Sequence, residues 1–367
     1  MDRSSLVPPH HHSIPAYRPP PIPAHILGKF GEDGLVRLEN NETPFGPSNR
    51  AVEELHKGIR FAHRYPESSL SLLRDTLSGF LEVDSAWLHF GSGIEEILTH
   101  ISRAFLSEGD EVVLASGTFP LYTNYNKIQQ ARECVVELRD YHYDLKAMRE
   151  KIGEQTKLVY LCNPNNPTGT GISRDEFEEF IEDLPKDLIL VLDEAYFEFT
   201  DQQRLPDGMR YFSKVPNLIV LRTLSKAYGL ARLRIGYSVQ HPDLSQHLLR
   251  MTPLYSVNGL AQAAASAAIQ DQDYLKDCVR KILEQRDFLA GELESRQVSF
   301  CPSEANFLCF FTQLDARKLA LGLMEEGVLV CPLNAFGLSQ GIRLTVGTEQ
   351  ENQRFLEALD RVRLQNF

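Results

Sequence analysis

The stretch LRTLSKAYGLARLRIGY, residues 221–237, decides how the rest of the chain reads. An apolar, β-branched run at 218–221 leads into it and a second strand-like run at 234–239 leads out, so the segment between is a turn off a sheet. Lys226 stands in that turn between Ser225 and Ala227, with Thr223 three residues before it and Arg234 eight after it. Hydroxyls and a guanidinium around one lysine suit a phosphate. A lysine held in such a pocket can condense with the aldehyde of a cofactor. Taken alone, a lysine after a strand is most often a solvated surface residue, so its partners must come from elsewhere in the chain.

The 367 residues are 43% hydrophobic and 24% charged, with a formal net charge of −12. That length supports two domains with a sizeable core, and the composition is that of a soluble globular protein. The acidic balance speaks against a nucleic-acid surface. No run approaches the roughly eighteen apolar residues of a membrane helix, and no signal-peptide pattern is visible at the N-terminus. The six cysteines (Cys134, Cys162, Cys278, Cys301, Cys309, Cys331) are scattered with no CxxC pair. They predict reduced thiols in a cytoplasmic protein and no metal cluster.

Residues 1–27, rich in Pro and His, are predicted to be an arm without regular structure. His10, His11 and His12 suit either a metal or a flexible arm, and the composition favours the arm. Tyr17 in IPAYRPPP is an aromatic anchor in an extended, proline-fixed segment. Residues 28–45 are read as a joining segment, with a short strand at 35–38 and the ordered turn NNETPFGPS, which carries Asn41. A large domain is expected over 46–245. Helices at 51–59 and 70–81 precede a strand at 88–90 and the turn GSGIEE, residues 91–96. Ile94, Ile97, Leu98, Ile101 and Phe105 then recur at helical spacing. A glycine turn that opens a helix offers free N–H groups to an anion. The dinucleotide pattern GxGxxG is not met, because Glu96 fills its last place.

From residue 111 the chain alternates. Strands at 111–115, 133–138, 157–162, 188–192 and 218–221, with helices at 120–131 and 174–181, predict a mostly parallel sheet covered on both faces. Ligands of such sheets sit at the carboxyl ends of the strands. Over 246–367 the pattern becomes a smaller α+β domain. Helices at 243–250, 261–269, 274–293, 316–326 and 350–364 accompany strand-like runs at 298–301, 307–311 and 342–346.

The distinctive residues cluster at strand ends. A pyridine ring that is to act as an electron sink needs a buried carboxylate to keep its nitrogen protonated. Asp193, ending LILVLD, suits that task, and Tyr196 and Asn166, the latter in NPNNPTG, suit the ring hydroxyl. Phe119 in SGTFPLY suits the ring face. Singly, Asp193 is also a helix cap, Phe119 a core residue and Asn166 a turn residue; their joint occurrence in this order is far more specific.

The asparagine of NPTG, the aspartate and tyrosine of DxxY, and SK with an arginine eight residues on together resemble the fold-type I pyridoxal-phosphate (PLP) aminotransferases. The resemblance is greatest to the histidinol-phosphate aminotransferase family and runs from Tyr17 to Thr348. It implies an α/β fold of the PLP-dependent transferase type, with a mostly parallel seven-stranded sheet between helices and a smaller α+β domain. It also implies a homodimer with shared active sites, and neither nucleic acid nor membrane as partner. By the same resemblance Lys226 bonds to PLP and moves the substrate proton, Asp193 pairs with the pyridine nitrogen, and Asn166 and Tyr196 bind the ring oxygen. Phe119 stacks, while Thr223, Ser225, Arg234 and the backbone of Gly93, Ile94 and Glu95 hold the phosphate, with Tyr65 donated across the dimer. Arg343 takes the substrate α-carboxylate with Asn306 nearby, and Tyr17 and Asn41 close over the substrate.

Three positions depart from the family pattern. Cys331 stands where the histidinol-phosphate enzymes carry an arginine for the substrate phosphate, and a neutral thiol does not replace that fork, which disfavours histidinol phosphate. Arg232 replaces a glycine, and Ile94 replaces a serine or alanine. The expected function is PLP-dependent transamination of an α-amino acid; the alternative is a PLP lyase or cyclase acting on a substituted or basic amino acid.

Overall fold

The short apolar runs between residues 88 and 239 assemble into one seven-stranded sheet in a computed structural model that describes residues 3–15, 21–313 and 315–365. Its order is Leu88–Gly91, Gly236–Val239, Leu218–Thr223, Ile189–Asp193, Thr156–Cys162, Glu111–Ala115, Arg132–Val136. Gly236–Val239 runs antiparallel to both neighbours, and every other pair is parallel. The central strands are buried along their whole length, as a sheet covered by helices on both faces requires.

Strand alternation sorts the core into two halves. Leu190, Leu192, Leu218 and Val220 pack into one cluster with Phe177 and Phe180 of helix Arg174–Ile181. Ile189, Val191, Ile219 and Leu221 pack into another, with Ile97, Leu98 and Ile101 of helix Ile94–Phe105. The same parity carries Asp193 and Thr223 to the second face. Glu194 and Arg222 go to the first, where they form a buried ion pair at 2.8 Å.

A second sheet has the order Val36–Leu38, Val328–Pro332, Gly341–Thr345, Phe307–Phe311, Phe300–Cys301. Its first pair is parallel and the rest are antiparallel. Pairing of Val36 with Val328 draws residues 39–41 beside the strand that carries Arg343 and Thr345. The fold is therefore the predicted α/β arrangement, a large mostly parallel sheet plus a smaller mixed one.

Three elements correct the sequence reading. Helix Ala24–Phe30 starts inside the segment read as lacking regular structure; it buries Ile26 against Leu35 and Leu329. Helix Leu145–Lys151 was not anticipated; Asp144 caps it, accepting from the Ala147 N–H at 2.9 Å. Strand Val328–Pro332 was also missed, although it joins the N-terminal strand to the rest of the small sheet. Among the described residues no helix is long and apolar enough to cross a membrane.

Candidate active site

At the end of strand Leu218–Thr223 the chain turns and places Lys226 in a half-buried position. The turn is pinned by close approach: a Cβ on Gly229 would stand 2.4 Å from the Gly46 carbonyl oxygen, so the NNETPFGPS loop lies directly on it. Lys226 Nζ donates to the Asn40 carbonyl at 2.8 Å. Burial, then the charge of Arg343, pushes its pKa down to about 7; Glu42 opposes, and Arg234 adds a smaller push in the same direction as Arg343.

Asp193 ends the neighbouring parallel strand. Its Oδ2 accepts from the Tyr122 hydroxyl at 2.6 Å and its Oδ1 from the Ala195 N–H at 3.1 Å. Burial pushes its pKa up to about 6, and these two donors pull against the rise. Phe119 is half-buried with its ring edge-on to Tyr122 at 5.6 Å.

The small sheet supplies the opposite wall. Arg343 donates from Nη1 to Asn166 Oδ1 at 2.6 Å and from Nη2 to the Glu39 carbonyl at 2.8 Å. Among the described residues its buried Nε has no hydrogen-bond partner. Asn41, in the left-handed region at φ 55°, donates from Nδ2 to the Tyr196 hydroxyl at 2.9 Å. The Asn41 backbone N–H reaches Thr345 Oγ1 at 2.8 Å, and Asn306 Nδ2 donates to the Asn41 carbonyl at 3.0 Å.

A third group forms where helix Ile94–Phe105 begins. Gly93, at φ 81°, is its N-cap and supplies no side chain, so the first N–H groups of Ile94 and Glu95 stay open. The Arg234 guanidinium lies over Gly93, with Nη2 2.5 Å from where a Cβ would sit. Gly236 also approaches the Ile94 nitrogen closely, its own Cβ position being 2.8 Å away. Thr223 Oγ1 accepts from the Ser225 N–H at 3.1 Å, folding these two residues onto the same turn. Arg234 itself takes a left-handed conformation, so the strand read from 234 begins instead at Gly236.

The structure thus gathers Lys226, Asp193, Asn166, Tyr196, Asn41, Asn306 and Arg343, and it puts Gly93, Ile94, Glu95 and Arg234 in a second cluster, with Thr223 and Ser225 in the turn beside Lys226. Tyr65 is apart from both: it is 82% exposed and stacks on Tyr255 at 4.7 Å. Arg232 is exposed, and Tyr17 lies outside the described residues. Sequence reasoning missed Tyr122, whose hydroxyl reaches Asp193 from a distant element. It also missed Asn165, which accepts from Thr118 at 2.8 Å and ties the NPNNPTG loop to the loop before Phe119. The carbonyls of Glu39 and Asn40 have no side-chain signature at all.

Residues 33–359 match the family model described as aminotransferase class I and II. The chain belongs to that family. It is 36% identical to histidinol-phosphate aminotransferase 1 of Nitrosococcus oceani over 94% of each chain. To the histidinol-phosphate aminotransferase of Brevibacillus brevis it is 37% identical, over 95% of this chain and 96% of that one. Among solved structures, histidinol-phosphate aminotransferase from Sinorhizobium meliloti, in complex with pyridoxal-5′-phosphate, matches with a TM-score of 0.88 at 28% identity over 99% of both chains. This chain is a PLP-dependent aminotransferase of fold type I, and transamination takes precedence over the lyase or cyclase alternative. The residues present fit the cofactor: an uncapped helix start under a guanidinium suits its phosphate, a buried carboxylate its ring nitrogen, and an amine with a lowered pKa its aldehyde.

Proposed function

We propose that this aminotransferase binds the α-carboxylate of its amino-acid substrate on Arg343 and moves the Cα proton with Lys226. The observation that carries this reading is the position of Lys226, whose pKa is lowered to about 7 by burial and by both Arg343 and Arg234. One amine therefore senses the two cations best suited to hold the substrate carboxylate and the cofactor phosphate. Bound PLP supplies an electron sink for the charge left when the Cα proton departs. Lys226 Nζ, mostly neutral above about pH 7, accepts that proton and returns it on the far side of the transfer. Asp193 holds the positive charge of the ring nitrogen, and Asn166 and Tyr196 orient the ring oxygen. Phe119 covers the ring face. Thr223, Ser225, Arg234 and the N–H groups of Gly93, Ile94 and Glu95 hold the phosphate, and Asn41 and Asn306 fix the loop over the substrate.

Cys331 lies directly across the sheet from Arg343, and Cys309 flanks Arg343 on the other side. With thiols as its row neighbours, Arg343 presents a single fork, which suits a carboxylate better than a phosphate dianion. Histidinol phosphate is the second reading, favoured by the names of the relatives. Arg343→Ala is expected to raise KM for α-amino acids about 100-fold with a smaller effect on kcat. An unchanged KM would remove the assigned role, and faster wild-type turnover of histidinol phosphate than of any α-amino acid would select the second reading.

We further propose a cytoplasmic homodimer divided at about residue 245 into the large and small domains. Tyr65 would reach the partner's phosphate site. Ile59, Phe61, Tyr65 and Leu254, exposed at 65, 56, 82 and 75%, supply apolar area for that contact. Sedimentation at twice the 41.6 kDa chain mass is the expected result, and a monomer at catalytic concentration would refute it.

A further inference from the structure

We propose that Tyr122 is a positioning residue that aims the Asp193 carboxylate at the cofactor ring nitrogen, an inference that rests on the role given to Asp193 above. The geometry is specific. Tyr122 is fully buried, and its hydroxyl donates to Asp193 Oδ2 at 2.6 Å. Its ring lies parallel to Tyr160, 4.4 Å away at 6°, and meets Phe119 edge-on at 80°. Tyr160 belongs to strand Thr156–Cys162, hydrogen-bonded to the strand that Asp193 ends. The phenol is therefore clamped to the same sheet as the carboxylate it holds.

Asp193 has little else to fix it. Among the described residues no cation pairs with it, and the remaining donor is the Ala195 N–H, which contacts the other oxygen. The other titratable groups facing the pair, Tyr143, Tyr160, Cys162 and Tyr196, are held neutral, burial pushing each of them up. Tyr122 is thus the neutral donor that occupies one carboxylate oxygen, sets the plane of the group and stabilises its charge. The edge contact with Phe119 joins the residue placed on the ring face to the one placed at the ring nitrogen.

The test is equilibrium binding of PLP and of a carbocyclic isostere with C–H in place of the ring nitrogen, to the cofactor-free enzyme. Tyr122→Phe should weaken PLP about 10-fold, the loss expected for one hydrogen bond to a charged group. It should leave the isostere within about twofold, because a positioning role acts only through the nitrogen. Equal weakening of both ligands, or of neither, overturns the proposal. Tyr160→Leu keeps the phenol but removes its clamp; it should weaken PLP and spare the isostere in the same sense, and a result without that difference also counts against the proposal. Asp193→Asn separates the two claims. If it binds PLP like wild type, the reading of Asp193 fails; if it loses PLP while Tyr122→Phe does not, only the role of Tyr122 fails.

Discussion

At the residue scale the candidate site holds two groups away from their ordinary ionisation. Lys226 is a lysine whose pKa falls from 10.5 to about 7, and Asp193 a carboxylate raised to about 6. Both shifts come first from burial, and the cost of such burial is a loss of stability in exchange for reactivity. For Lys226 the folded pKa lies below the unfolded one, so between about 7 and 10.5 the unfolded chain binds more protons. The contribution of Lys226 to the stability of the cofactor-free enzyme therefore rises with pH across that window, and its penalty is fully present below it. Lys226→Met should be more stable than wild type at about pH 6, with the advantage shrinking by about pH 9.5. Urea unfolding of both proteins at the two pH values measures this, and an advantage that grows with pH would contradict the assigned shift. Most of these residues were legible, because Lys226, Asp193, Asn166 and Arg234 sit in side-chain patterns of fixed spacing. Tyr122 was not, since its bond to Asp193 depends on a sheet face that only strand parity reveals. The Asn40 carbonyl that holds Lys226 was hidden for a plainer reason: every residue has a carbonyl.

At the element scale the deciding feature is the start of helix Ile94–Phe105. Its N-cap glycine leaves the first N–H groups open and leaves room for Arg234. Gly93→Ala would force a side chain into a left-handed backbone at φ 81° and into the guanidinium. Displacement of Arg234 should weaken PLP at least about 10-fold, with a stability loss of about 1–3 kcal/mol from the strained backbone. Fluorescence titration with PLP and thermal unfolding measure the two effects; unaltered PLP affinity would remove the cradle from the account. Long elements with clear periodicity were readable from sequence to within a few residues, as in Ala316–Glu325 and Glu349–Gln365. Val328–Pro332 escaped because it is short, ends in proline and gains its identity from Val36, almost three hundred residues away. Ala24–Phe30 escaped because the run of prolines before it masks three apolar positions, Ile26, Leu27 and Phe30, that cover the small sheet.

At the scale of the whole molecule, chemistry depends on two sheets meeting. The large sheet delivers Lys226, Asp193 and Asn166, and the small one delivers Arg343, which reaches across to Asn166 at 2.6 Å. The N-terminal strand Val36–Leu38, paired into the small sheet, carries Glu39, Asn40 and Asn41 onto both. A substrate carboxylate on Arg343 would thus be coupled to the lysine through one loop, which is why a single chain segment far from either motif completes the site. The sequence pattern identified the fold and the cofactor, but not this coupling, because strand pairing between residues 36 and 328 leaves no local trace. Transamination by Lys226 at a PLP-loaded site is checked by mixing the loaded enzyme with one α-amino acid and no acceptor. A single turnover is expected: one oxo acid per active site, with the visible absorbance of the cofactor converted to that of its amine form and no further product. Continued product formation without an acceptor, with the original absorbance restored, would contradict it.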